Sequence, residues 1–75
     1  MKLSQKSITF IEEKVLKNIG LTAITDDNLQ EIVDYISENY EIPLAQAKEN
    51  GEAIDESLLE LSSAVITEIT TNPDW

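Results

Sequence analysis

Three stretches of the chain repeat apolar residues at spacings of three and four, and each opens with the same local arrangement. A polar residue able to cap a helix follows one apolar residue and stands four positions before another. The cases are Leu3-Ser4 with Ile8, Ile24-Thr25 with Leu29, and Ile54-Asp55 with Leu59. In such an arrangement the polar side chain accepts a first-turn N–H, and the two apolar side chains close across it.

The first stretch, with Ile8, Ile11, Val15 and Ile19 on one face, predicts a helix over 4–18 closed by Gly20. Thr9 and Glu12 form a second capping box, which would start the helix later. Phe10 falls on the other side of this helix, near Lys6, Lys14 and Lys17. The second helix is expected over 26–40. Asp26 and Asp27 sit at its positive end, and Leu29, Ile32, Val33, Ile36 and Tyr40 form its buried stripe, with Tyr35 at the edge. Pro43 is expected to interrupt that helix and to open a short one over about 43–50, stopped by Gly51, with Leu44 and Ala47 inward. A loop is the alternative there.

The last helix is expected over 55–71, with Pro73 ending it. Leu58, Leu61, Val65 and Ile69 form its central line, flanked by Leu59, Ser62 and Ile66. That wide apolar arc places it in the middle of the bundle. The β-branched run AVITEITT also suits a strand, but a lone strand has nothing to pair with. The expected fold is therefore all-α: a single domain over 1–75, with three amphipathic helices (about 4–18, 26–40 and 55–71) and a short fourth (about 43–50).

Composition sharpens this picture. The 75 residues contain neither cysteine nor histidine, so disulfides are excluded and the usual zinc ligands are missing. Stability must come from packing, and at this size the margin is small enough for self-association, a homodimer, to be one way of widening it. No apolar run approaches the ~20 residues of a membrane span, and the first residues lack the apolar stretch of a signal peptide, so a cytoplasmic protein is expected.

Charge is unevenly placed. Residues 1–25 carry four lysines against two glutamates, whereas residues 26–75 carry thirteen acids against Lys48 alone, for a total of −10. Such a chain repels nucleic acid, and without arginine it lacks the side chain that most often reads DNA or RNA. Direct nucleic-acid binding is not expected. A basic protein surface is the complementary partner.

Residue types that carry chemistry are few. With no histidine or cysteine, and two glycines, there is no nucleophile–base pair and no phosphate-cradling loop, so catalysis is not expected and no cofactor or metal is implied. The acids of AITDDNLQEI lack the alternation and turn glycine of a calcium loop. What stands out is Asp27, Glu31, Asp34, Glu38 and Glu41, spaced 4, 3, 4 and 3 so as to draw one acidic stripe along the second helix. Like charges at these spacings each cost a helix a few tenths of a kcal/mol. A docking surface for a basic protein explains the cost, and so does imitation of a phosphate backbone in the groove of a nuclease or nucleic-acid-binding protein. A plain solvated face, balanced by the lysines of the first helix, is the structural alternative.

Two aromatic residues complete the candidates. Phe10 among its lysines is either a stacking contact or the filling of a second helix–helix seam. Trp75, turned from the axis of the last helix by Pro73, is expected to fold over the bundle end toward Leu21 or Ile42, with an exposed anchor as the alternative.

Overall fold

The computed structural model describes residues 3–71 and is an all-α bundle. Helix α1 covers residues 5–19, α2 covers 26–41, α3 is Ile42–Glu49 and α4 is Glu56–Thr71. The AVITEITT segment is helix throughout its described part. Lys2, Pro73 and Trp75 lie outside the described residues, and with them the expected docking of the tryptophan ring.

All three capping residues take their expected positions. The Ser4 side chain accepts the Ser7 N–H at 3.3 Å, which makes Ser4 rather than Thr9 the start of α1. At α2, Asn28 Oδ1 accepts the Thr25 N–H at 2.9 Å, and Asn28 Nδ2 donates to the Ala23 carbonyl at 2.8 Å. At α4, Asp55 Oδ1 accepts the Leu58 N–H at 3.1 Å. The bonds accepted by Ser4, Asn28 and Asp55 each satisfy a backbone amide at a helix start, and the one donated by Asn28 ties the preceding loop to α2.

The two glycines end helices. Gly20 at φ 73° lets the Leu21 N–H return to the Leu16 carbonyl at 3.0 Å. Gly51 at φ 80° lets the Glu52 N–H reach the Ala47 carbonyl at 2.9 Å while its own N–H reaches Lys48 at 3.1 Å. Both are left-handed closures that a side chain would strain.

Two wider π turns alter the expected register. Residues Glu12–Leu16 of α1 and Ser37–Glu41 of α2 wind more loosely than an α-helix, so the side chains after them lag behind a 100° rotation. In α1 Ser7, Phe10 and Ile11 share a buried face at ordinary α spacing, the π turn that follows brings Val15 and Leu16 into the same buried set, and Ile8 and Ile19 lie at its edge. Phe10, placed by periodicity away from the core, is instead 3% exposed within it. Its ring meets Tyr40 edge-on, with centroids 5.4 Å apart, and Tyr35 lies 6.2 Å from Tyr40 on the other side. Burial, with the Tyr35 phenol adding to it, holds the Tyr40 hydroxyl above its ordinary pKa.

The second π turn also changes what Pro43 does. The short helix forms where expected, but no break separates it from α2: Glu41 and Ile42 both keep right-handed helical angles. A proline clashes with the carbonyl four residues earlier and donates no hydrogen bond there; the wider turn immediately before Pro43 is the kind of local adjustment that accommodates it. Residues 26–49 thus form one uninterrupted helical rod.

The core is built where α1, α2 and α4 meet. Ile11, Val15, Ile32, Ile36 and Val65 are fully buried, with Leu16, Leu29 and Ile69 beside them. Along α4 the deepest line is Ser62, Val65 and Ile69, while Leu58 and Leu61 pack at its margin. Buried Ser62 is satisfied by the Leu59 carbonyl at 2.9 Å. No residue of α3 is buried, Leu44 and Ala47 being half-covered and Ile42 48% exposed.

Candidate functional site: the acidic face of α2

The stripe read from the sequence is four residues long in space. Asp27, Glu31, Asp34 and Glu38 are all exposed on α2, as their spacing requires. Asp34 accepts a hydrogen bond from Gln30 at 2.9 Å, whereas Asp27, Glu31 and Glu38 have no hydrogen-bond or ion-pair partner among the described residues. Glu41 departs from the stripe. It is the last residue of the π turn, is half-buried, and accepts a hydrogen bond from Ser63 Oγ of α4 at 2.9 Å.

The lysines of α1 do not neutralise this face. Among the described residues the ion pair present joins Lys48 to Glu56 at 3.0 Å, clipping the end of α3 to the start of α4. Lys6, Lys14 and Lys17 are exposed and make none. The repulsion along α2 is therefore left to solvent and salt. At about 0.15 M ionic strength charges more than ~8 Å apart are screened, but neighbours one turn apart still feel each other.

A single carboxylate of a different kind, which periodicity does not mark, joins two helices. Glu68 of α4 reaches across to the first turn of α1, accepting from the Ser4 N–H at 2.7 Å, Ser4 Oγ at 2.9 Å and Ser7 Oγ at 2.6 Å. The hydrogen bond from Ser7, then that from the Ser4 amide, holds its carboxyl below the usual glutamate range, against the opposing effect of burial. Ser7, 1% exposed, has its hydroxyl satisfied this way. The available signal was modest: Glu68 is the lone acid between positions 61 and 71, beside the buried Val65 and Ile69. Its work is structural, joining the two helices.

Phe10 and Trp75, the aromatic candidates, do not extend the acidic face: Phe10 is inside the bundle and Trp75 is outside the described residues. Among the described residues no three histidine, cysteine, aspartate or glutamate side chains assemble as a metal-binding group. No described helix is long and apolar enough to cross a membrane. Comparison with protein-family models, with curated proteins and with solved structures finds no match to this chain.

Proposed function

We propose that this chain is a non-catalytic, cytoplasmic interaction module that docks the exposed carboxylates of α2 onto a basic protein surface. The observation that carries the reading is that Asp27, Glu31, Asp34 and Glu38 stand on one helix face while the lysines of α1 pair with none of them. The rod of α2 and α3 presents these groups on a rigid element, so little conformational entropy is lost when a partner engages them. Four like charges also steer a basic surface toward the face before contact, chiefly raising the association rate.

The partner class is a protein carrying clustered lysine or arginine. A nuclease or a nucleic-acid-binding protein is one member of that class, with the carboxylates occupying the place of backbone phosphates. The test is capture from the source organism's lysate by the wild type and by the triple variant Glu31→Gln, Asp34→Asn, Glu38→Gln. Basic proteins held by the wild type, released by salt and not held by the variant support docking. Retention by the variant refutes it. Displacement of the captured protein by duplex DNA or RNA separates phosphate mimicry from docking elsewhere on the partner.

A further inference from the structure

A second face has the opposite character. Beside the Glu68 contact, α1 and α4 leave between them an open groove of about 750 Å³. Leu61 and Ala64 contribute apolar surface to it above buried Phe10, and Lys6, Lys14, Glu13 and Glu60 contribute charge. Two lysines and two glutamates cancel, which makes this a neutral strip on a chain whose net charge is −10. We propose that this groove is the interface of a two-fold symmetric homodimer, independent of the acidic face of α2.

The occupant follows from the charge. Two copies meeting through α2 would set four exposed carboxylates against four, which costs association several kcal/mol when like charges are juxtaposed. Meeting through the groove sets a balanced surface against itself. In a two-fold interface each patch meets its own copy, so a residue that contacts another is contacted by it in return. Lying α1 of one copy over α4 of the other places Lys14 opposite Glu60 twice, once on each side of the axis. Lys6 and Lys14 have no ion-pair partner among the described residues, so the dimer breaks no existing pair to make these.

Packing supports the same occupant. The α1–α4 seam is shallow, with half-buried Leu61 and exposed Thr9 and Ala64 along it, small or short enough for another helix to approach. A fourth helix laid there completes the four-helix arrangement that three amphipathic helices leave open. For a 75-residue chain without disulfides, that added burial also widens a small stability margin.

The experiment is sedimentation velocity of the full chain over a wide concentration range, with circular dichroism confirming the fold of each variant. Lys14 and Glu60 are exposed, so their substitution leaves the core intact. The wild type is expected to sediment faster as concentration rises. Lys14→Glu and Glu60→Lys each weaken association by about tenfold or more, and the two together in one chain restore it. A monomer at every concentration overturns the proposal and leaves the groove to a different partner. A dimer indifferent to both single changes places the interface elsewhere, and a dimer weakened by each but not restored by the pair overturns the two-fold pairing.

Discussion

Replacing Glu68 by glutamine keeps the shape of the side chain and removes its charge, which isolates what the carboxylate does for the contact between α4 and α1. In the wild type its two oxygens accept from the Ser4 N–H, the Ser4 hydroxyl and the Ser7 hydroxyl at 2.7, 2.9 and 2.6 Å. Hydrogen bonds to a charged group contribute about 1.5–3 kcal/mol each when shielded, but the Ser4 end is open to water, and glutamine keeps one accepting oxygen. The negative charge also faces the positive end of the α1 dipole, worth a further few tenths of a kcal/mol. The expected loss at neutral pH is about 1–2 kcal/mol, a fall in Tm of roughly 4–16 °C for a domain this small.

The pH dependence has a definite sign. Because the folded-state pKa of Glu68 lies below its ordinary 4.5, the carboxylate contributes stability above that value and loses it as pH falls through the folded pKa. Paired thermal melts of wild type and Glu68→Gln should therefore show a constant gap from neutrality down to about pH 5, and a closing gap below pH 4.5. Equal melting temperatures at neutral pH, or a gap that does not change with acid, refute the reasoning.

Other substitutions test other parts of the account. Neutralising the stripe with Glu31→Gln, Asp34→Asn and Glu38→Gln removes the like-charge pairs of α2 and should raise stability by about 0.5–1 kcal/mol in urea titration, even as partner capture is lost. Phe10→Ala empties a core position beside Tyr40 and should cost about 3–5 kcal/mol, enough to broaden or abolish the thermal transition. Gly51→Ala should cost about 1 kcal/mol through backbone strain alone, since a methyl there meets no atom within 4 Å; a neutral effect in urea titration contradicts the left-handed closure. Asp55→Ala removes the cap from the Leu58 amide and should cost about 1 kcal/mol, read the same way.

The parts of the fold legible in the sequence are those with a local cause. Ser4, Thr25 and Asp55 mark helix starts because capping needs only a side chain within three residues, and Gly20 and Gly51 mark ends because few other residues tolerate their φ. Part of what periodicity missed comes from the π turns, and part from buried serines, Ser7 and Ser62, that an apolar pattern passes over. A stripe drawn through Ile8, Ile11, Val15 and Ile19 puts Phe10 outside the core because polar Ser7, which shares its buried face, gives no apolar signal, and a uniform 100° rotation keeps Glu41 on the acidic face. The looser winding of Glu12–Leu16 and Ser37–Glu41 gives a different register, in which Leu16 is buried and Glu41 bonds to Ser63. Pro43 was legible as a helix start but not as the continuation of a rod, because a turn of π winding leaves no composition of its own. The bond of Glu68 to Ser4 and Ser7 spans more than sixty residues and depends on how the helices meet. The acidic face continues as far as Glu38, at the start of that π turn, and only its fifth member, Glu41 at the end of the turn, is drawn away to Ser63.

The central claim is that the carboxylates of α2 form the docking surface, and the most direct measurement is backbone amide NMR of the labelled chain titrated with a captured basic partner. Chemical-shift changes are expected along residues 27–38, strongest near Glu31, Asp34 and Glu38, fading as salt is raised. Changes gathered on the α1–α4 groove, with α2 silent, would contradict the account.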